Sequence, residues 1–154
     1  MFRILPWLFS VLGFIGIIHS SASFKILLDI PSALVSVVFP MLLMLSIYSI
    51  SEIKQAFKHL FISDNNGLSI EELQRSSQVF ASYGVLSLTS GIVASMLAII
   101  AILANLVNIS TVVSNISVSL LTIFYSLLVV IFISFPASNI LSSVAKKLNS
   151  EIVK

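Results

Sequence analysis

The sequence predicts an all-α, polytopic membrane protein with four transmembrane helices and a short cytoplasmic helical hairpin. Hydrophobic residues make up 58% of the 154 residues and charged residues only 9%, whereas a soluble domain carries about 25% charged residues. The mean hydropathy is +1.13. Between Arg75 and Lys146 there is no Asp, Glu, Lys, Arg or His. This stretch must therefore face lipid or other apolar helices.

Four apolar blocks within a single membrane domain, residues 1–154, are long enough to span a bilayer, because about 20 residues suffice. The predicted spans are residues 2–20, 30–50, 80–107 and 116–137. The first block also has features of a signal peptide, since Arg3 precedes an apolar stretch that small residues follow at 20–23. Both interpretations of that block are open.

Two prolines mark the second span. Pro31 suits the first turn of a helix, where a missing N–H costs nothing. Pro40 lies inside the span and predicts a kink there. A membrane helix tolerates such a kink when neighbouring groups satisfy the freed carbonyl.

The polar segments are residues 51–79, the predicted hairpin, and 138–154, the predicted tail. Residues 51–61 read as an amphipathic continuation of the second helix, followed by a turn. Ser69 and Glu72 then form a capping-box pattern that begins the next helix.

Basic residues set the predicted orientation. All but Lys25 fall on one side of a four-span arrangement, where the positive-inside rule places both termini and the hairpin in the cytoplasm. They are Arg3, Lys54, Lys58, Arg75, Lys146, Lys147 and Lys154.

Small and polar side chains form a stripe on each of the last two spans. Helical spacing places the members of each stripe on one face: Gly84, Ser87, Gly91, Ala94, Ala98 and Ala101 in the third span, and Asn115, Ser119, Thr122 and Ser126 in the fourth. Close helix packing is the simpler explanation, and a polar lumen is the alternative. The two are compatible.

Enzymatic and metal chemistry find no support in the sequence. There is no cysteine, and the two histidines, His19 and His59, are far apart in the chain. No nucleophile–base pair or phosphate-binding loop is present. We therefore expect no enzyme activity, no metal site and no nucleic-acid partner.

Two motifs frame the second span. The sequence DIPSAL begins at Asp29, and the sequence EIKQAFK begins at Glu52. They resemble, at the same separation, the xDIPSLLIV that opens the second helix and the KxAF that closes it in the MotA/TolQ/ExbB family of ion-driven motor subunits.

The third and fourth spans extend this resemblance. The sequence GVLSLTSG from Gly84 is similar to the family's GLLGTVIG, and LLTIFYSLL from Leu120 is similar to LLTTLYGALLA. The exit FPASNIL from Phe135 resembles LPIANKL. These matches cover most of the chain from Asp29 to Leu141 in the family's order.

The chain departs from the family pattern at several positions. Leu88 replaces the family's third-helix threonine, beside Thr89, and Ile123 replaces the fourth-helix threonine, beside Thr122. The hairpin is much smaller than the cytoplasmic region of flagellar stators, which argues against rotor coupling of the flagellar kind. The family's paired glycines of the second helix are replaced by Val38 and Phe39.

The resemblance implies a homopentamer around two copies of a single-span MotB/ExbD/TolR-like subunit in the bacterial cytoplasmic (inner) membrane. The partner's membrane aspartate would carry the transported H+ or Na+, and no other cofactor is implied. The third and fourth spans would line the central pore. The implied ion-path residues are Ser87, Thr89, Gly91, Ser119, Thr122 and Ser126. The family-motif residues with structural roles are Asp29, Pro31, Gly84, Tyr125 and Pro136.

Two other functions remain open at this stage. A non-conducting scaffold of the same family is one, because Leu88 and Ile123 remove the two hydroxyls most expected at the ion path. A small four-helix membrane accessory protein is the other.

Overall fold

A computed structural model describes residues 4–21, 29–61, 68–104 and 109–152, and every regular element in them is helical. The all-α class is thus confirmed. We number five helices. They are α1 (Ile4–Ser21), α2 (Ile30–Ile47), α3 (Ile50–Phe61), α4 (Ile70–Ala104) and α5 (residues 109–152).

Three of the described helical stretches are long and apolar enough to cross a membrane, namely Ile30–Ile47, Ile70–Ala104 and Val112–Glu151. They correspond to the second, third and fourth predicted spans. The helix α1 is an apolar stretch of 18 residues, and its role as a further span stays a prediction.

Residues 51–61 do not continue the second helix, so that expectation is wrong. The backbone at Tyr48 is extended, with φ −125° and ψ 143°, and α3 begins afresh at Ile50. The Ser49 N–H donates to the Glu52 carboxylate at 2.8 Å, and the Glu52 N–H donates to Ser49 Oγ at 3.3 Å. This reciprocal pair is a capping box, which the sequence analysis missed.

The capping box predicted at the start of α4 is confirmed. The Ser69 N–H donates to the Glu72 carboxylate at 3.0 Å, and the Glu72 N–H donates to Ser69 Oγ at 3.2 Å. Both α3 and α4 therefore begin with the same local device, which fixes the first turn of each helix of the hairpin.

The interior of the bundle changes character along α4, which packs against α5 over most of its length. Toward α3, large apolar side chains such as Leu73 and Phe80 fill the interior, together with Leu141 of α5. Farther along α4, the buried residues are all small: Gly84, Ser87, Gly91 and Ser95. The helices can approach each other closely in that half.

Both α2 and α5 contain one π-helical turn just before a Phe-Pro pair. In α2 this turn is Leu34–Val38, before Phe39 and Pro40. The equivalent turn in α5 is Val130–Ser134, and Phe135 and Pro136 follow it.

The prolines lack the N–H that an α-helix would direct at the carbonyl four residues earlier. For Pro40 that carbonyl belongs to Ser36, and Ser87 Oγ donates to it at 2.6 Å. For Pro136 it belongs to Phe132, and Trp7 Nε1 donates to it at 2.7 Å. In each case a neighbouring helix supplies the donor, as expected for Pro40.

Candidate functional site

Five buried hydroxyl side chains meet where α2, α4 and α5 pack together, and we call them the hydroxyl belt. None is more than 7% exposed. Every other buried polar side chain in the described residues is also a serine, so no buried charge accompanies them there. The belt consists of Ser32 and Ser36 of α2, Ser87 of α4, and Thr122 and Ser126 of α5.

Thr122 is the centre of the belt's hydrogen bonds. Its carbonyl accepts from Ser36 Oγ at 2.8 Å and from Ser126 Oγ at 3.0 Å. Its hydroxyl lies 2.9 Å from Ser32 Oγ. Because Ser87 donates to the Ser36 carbonyl, these bonds connect all three helices.

Two glycines of α4 allow this close approach to α5. A Cβ placed on Gly91 would collide with Ser126 Oγ and lie 2.8 Å from Ser126 Cβ and 3.1 Å from the Thr122 carbonyl oxygen. A Cβ on Gly84 would collide with Ser134 Oγ and lie 2.6 Å from its Cβ. The small stripe of the third span therefore acts in helix packing, as small residues do in membrane proteins.

A groove of about 370 Å³, lined by both apolar and polar residues, adjoins the belt at the N-terminal end of α2. Its polar lining comes from Asp29, Ser32, Asn115, Ser119 and Thr122. Carboxylate, amide and hydroxyl oxygens together can attract a cation and replace part of its hydration. The groove thus joins the belt to one end of the bundle.

Asp29 is held in place at the rim of this groove. Its carboxylate accepts the Ser32 N–H at 3.1 Å, as the N-cap of α2. Its own N–H donates to Tyr125 Oη at 3.4 Å. Pro31 occupies the first turn of α2 and also lines the groove.

Ser95 lies on the buried face of α4, one turn beyond Gly91. It is 1% exposed, and among the described residues its hydroxyl has no hydrogen-bond partner. Leaving such a group unsatisfied costs about 1–3 kcal/mol. The neighbouring Ala94 and Ala98 line the groove, so Ser95 lies close to it along α4.

The structure brings together most of the residues implied for an ion path. Gly91, Thr122 and Ser126 meet in the α4–α5 contact, and Ser87 joins them through the Ser36 carbonyl of α2. Ser119 follows on the groove side, where its Oγ donates to the Ile116 carbonyl at 2.8 Å. Whether these residues line an ion path stays a prediction.

Thr89 lies apart from this group. It is exposed, and its Oγ1 donates to the Val85 carbonyl of its own helix at 2.8 Å. It lines a separate apolar groove between α2 and α4.

The sequence analysis placed no ion-path residue on the second span and so missed Ser32 and Ser36. The spacing of these serines could have revealed them, because residues 32, 36, 40 and 44 are four apart and so share one face of the helix, and all four are buried. Ser134, whose Oγ donates to the Phe80 carbonyl at 2.7 Å, was not predicted from the sequence either.

A second polar cluster fastens the α3–α4 hairpin at the other end of the bundle. Arg75 Nε donates to Glu52 Oε1 at 2.9 Å, and the Arg75 guanidinium lies 4.9 Å from the centre of the Tyr48 ring. His59 Nδ1 lies 2.8 Å from Ser76 Oγ. The Ser49 N–H and then Arg75 lower the pKa of Glu52 from its usual 4.5.

Comparison with known proteins identifies one family. The family model described as the MotA/TolQ/ExbB proton channel family matches residues 43–154. This range includes α3, α4 and α5, and hence the glycine contacts and three of the five belt residues. A comparison with curated proteins finds no match.

Proposed function

This chain belongs to the MotA/TolQ/ExbB proton channel family, and from that premise we propose that it is the channel-forming subunit of an ion-driven (proton or sodium) motor complex. The hydroxyl belt and its polar groove carry this proposal. Hydroxyl groups are costly to bury in an apolar bundle. Membrane proteins line their ion pathways with oxygen atoms of this kind.

The ion-carrying acid comes from a second chain. No ionisable Asp, Glu, Lys, Arg or His occurs between Arg75 and Lys146, nor between Asp29 and Glu52. Asp29 lies at the rim of the groove as the N-cap of α2, so in this proposal the carboxylate that binds and releases the ion inside the membrane belongs to a partner. We propose two copies of a single-span, MotB/ExbD/TolR-like subunit inside a pentamer of this chain in the bacterial cytoplasmic membrane, with α4 and α5 lining the pore.

The groove faces the extracytoplasmic side in this proposal. Asp29 and Asn115 lie at one end of the bundle, whereas Lys54, Lys58 and Arg75 lie toward the other. The positive-inside rule assigns the basic end, with both termini, to the cytoplasm. An incoming cation would meet the Asp29 carboxylate first and the hydroxyls afterwards.

The implied ion-path residues divide into two roles. Ser119 and Thr122 line the groove and can solvate an ion directly. Ser87 and Ser126 are fully buried within the subunit. In this proposal Ser126 contacts a partner's carboxylate only if α4 and α5 separate, and Ser87 only if its bond to the Ser36 carbonyl of α2 opens. This arrangement would couple ion passage to movement of α4 against α5. Ser95, whose hydroxyl has no partner among the described residues, could bind an ion or water when that contact opens.

Ion flux into liposomes tests the proposal. The purified complex, with its co-purifying single-span chain, is reconstituted with a pH-sensitive dye inside the vesicles, and Na+ uptake is followed in parallel. We expect Ser119→Ala and Thr122→Val to lower the flux about tenfold, as the loss of one oxygen ligand worth roughly 1.4 kcal/mol would do.

Ser117→Ala is the matched control on the same helix. Ser117 is exposed and its Oγ donates to the Val113 carbonyl at 3.0 Å, so this substitution should leave the flux unchanged. The groove would be ruled out as the ion path if Ser119→Ala carried the same ion flux as Ser117→Ala and Thr122→Val carried the same flux as the unmodified chain.

A non-conducting scaffold is the second candidate function. Apart from Ser95, the buried belt and interface hydroxyls are already paired inside one subunit, and Leu88 and Ile123 stand at the family's threonine positions. A scaffold would form the same oligomer around the same partner but carry no ion flux above that of empty liposomes.

A further inference from the structure

Two adjoining apolar clefts lie at the basic end of the bundle. The larger, of about 270 Å³, is bounded by α1, α3 and α5 and lined by aromatic side chains that include Trp7, Phe57 and Phe61. The smaller, of about 140 Å³, reaches toward α2 and the middle of α4. Phe57, Phe80 and Ile133 line both clefts, so the two are neighbours separated by a few side chains.

The helix α3 exposes both apolar and basic side chains beside these clefts. Its inner face is buried through Ile53 and Ala56. The side chain of Phe61, however, is 74% exposed and that of Phe57 is 43% exposed. An amphipathic helix with exposed aromatic residues on one face and lysines on another lies in the membrane interface.

Two lysines flank the exposed aromatic residues of α3. Lys54 and Lys58 are both exposed and lie one turn apart, where like charges repel each other. Neither forms an ion pair within the described part of the chain. The acidic residue nearest to them on α3, Glu52, is engaged by Arg75. The pair therefore presents an uncompensated positive charge on the helix whose Phe57 lines both clefts.

We propose that these clefts and lysines form a binding site for one anionic phospholipid. The parts of its two acyl chains nearest the headgroup enter the two clefts on either side of Phe57, and its phosphate lies between Lys54 and Lys58. The positive charge of Lys54 and Lys58 favours an anionic phospholipid over a neutral one, because basic residues next to a membrane surface attract anionic headgroups. The proposal does not depend on ion conduction.

Trp7 provides a direct probe for this site. It is the single tryptophan of the chain, and it lines the larger cleft. Phospholipids with brominated acyl chains quench a tryptophan that they contact. The full chain is reconstituted in phosphatidylcholine bilayers that contain the same mole fraction of either brominated phosphatidylglycerol or brominated phosphatidylcholine.

We expect phosphatidylglycerol to quench Trp7 at lower mole fractions than phosphatidylcholine. The double variant Lys54→Gln/Lys58→Gln should lose this preference, by about fivefold in relative affinity for each lysine removed. The variant Lys146→Gln/Lys147→Gln is the matched control, because it removes the same charge from exposed positions on α5 and should keep the preference.

A variant that fills the cleft gives an independent test. Ile140 lines the larger cleft only, and Ile140→Phe should weaken quenching by both lipids without changing their ratio. Equal quenching by the two lipids in the unmodified chain would overturn the proposal, since the clefts would then be ordinary lipid-facing surface. Absence of quenching by either lipid would overturn it as well, because another protein segment would then cover Trp7.

Discussion

The substitution Gly91→Ala tests whether the α4–α5 contact depends on backbone proximity. The added Cβ would collide with Ser126 Oγ and lie 2.8 Å from Ser126 Cβ. Rotation of the serine hydroxyl can relieve the first contact, but no rotation moves the Cβ. The Thr122 carbonyl oxygen at 3.1 Å belongs to the backbone. The two helices would have to move apart.

Two opposing effects determine how much Gly91→Ala changes the free energy of unfolding. Alanine is favoured over glycine inside a helix by about 0.5–1 kcal/mol. Overpacking of a close contact costs about 1–3 kcal/mol. The overpacking term should dominate, and we expect a net loss of about 1–2 kcal/mol in the free energy of unfolding. Gly13→Ala is the matched control, because a Cβ there meets nothing within 4 Å, and it should be neutral or slightly stabilising.

Equilibrium unfolding in mixed micelles, followed by circular dichroism, measures both variants. The double variant Gly91→Ala/Ser126→Gly removes the two closest contacts and should recover part of the loss that Gly91→Ala causes. If Gly91→Ala proves as stable as Gly13→Ala, α4 and α5 are not held at the close separation that Gly91 and Ser126 show.

Two further predictions concern single hydrogen bonds. Ser87→Ala removes the donor to the Ser36 carbonyl and should lower the free energy of unfolding by about 1–3 kcal/mol. This loss should be smaller in a Pro40→Ala background, where a backbone N–H returns. An equal loss in both backgrounds would contradict the role assigned to Ser87. Folding lowers the pKa of Glu52 from its usual 4.5. The charged carboxylate therefore stabilises the fold above pH 4.5, and this stabilisation is lost as the pH falls through the lowered pKa of the folded state. The gap in thermal midpoint between the unmodified chain and Glu52→Gln should therefore narrow below pH 4.5, and a gap that widens there would refute this sign.

The positions of the last three spans could be predicted because they follow from the distribution of charge. The absence of ionisable residues between Arg75 and Lys146 allows few alternatives in a chain with this composition. The capping box at Ser69 was equally readable, since it depends only on residues three positions apart. The equivalent pattern at Ser49 has the same spacing, but residues 51–61 were expected to continue the second helix, so no new helix start was predicted there.

The composition of the hydroxyl belt could be predicted only in part. Helical spacing shows which residues of one helix share a face, and it already separates Thr89 from Ser87, because two residues turn a helix by about 200°. Spacing does not show how α2 is rotated against α4 and α5. That rotation is set by the packing of three helices together, and it brings Ser32 and Ser36 to Thr122.

The two halves of the α4–α5 contact differ in how they can move. Near the hairpin, Phe80 and Leu141 are fully buried large side chains, and sliding one helix past the other would require them to repack. Around Gly91 the contact consists of glycine, hydroxyls and backbone carbonyls, whose hydrogen bonds can exchange partners over short displacements. The π-helical turns at Leu34–Val38 and Val130–Ser134 interrupt the regular α-helical bonding of α2 and α5. We therefore expect any motion coupled to the proposed ion passage to occur in the half that carries the hydroxyl belt, while the half that carries the hairpin stays fixed.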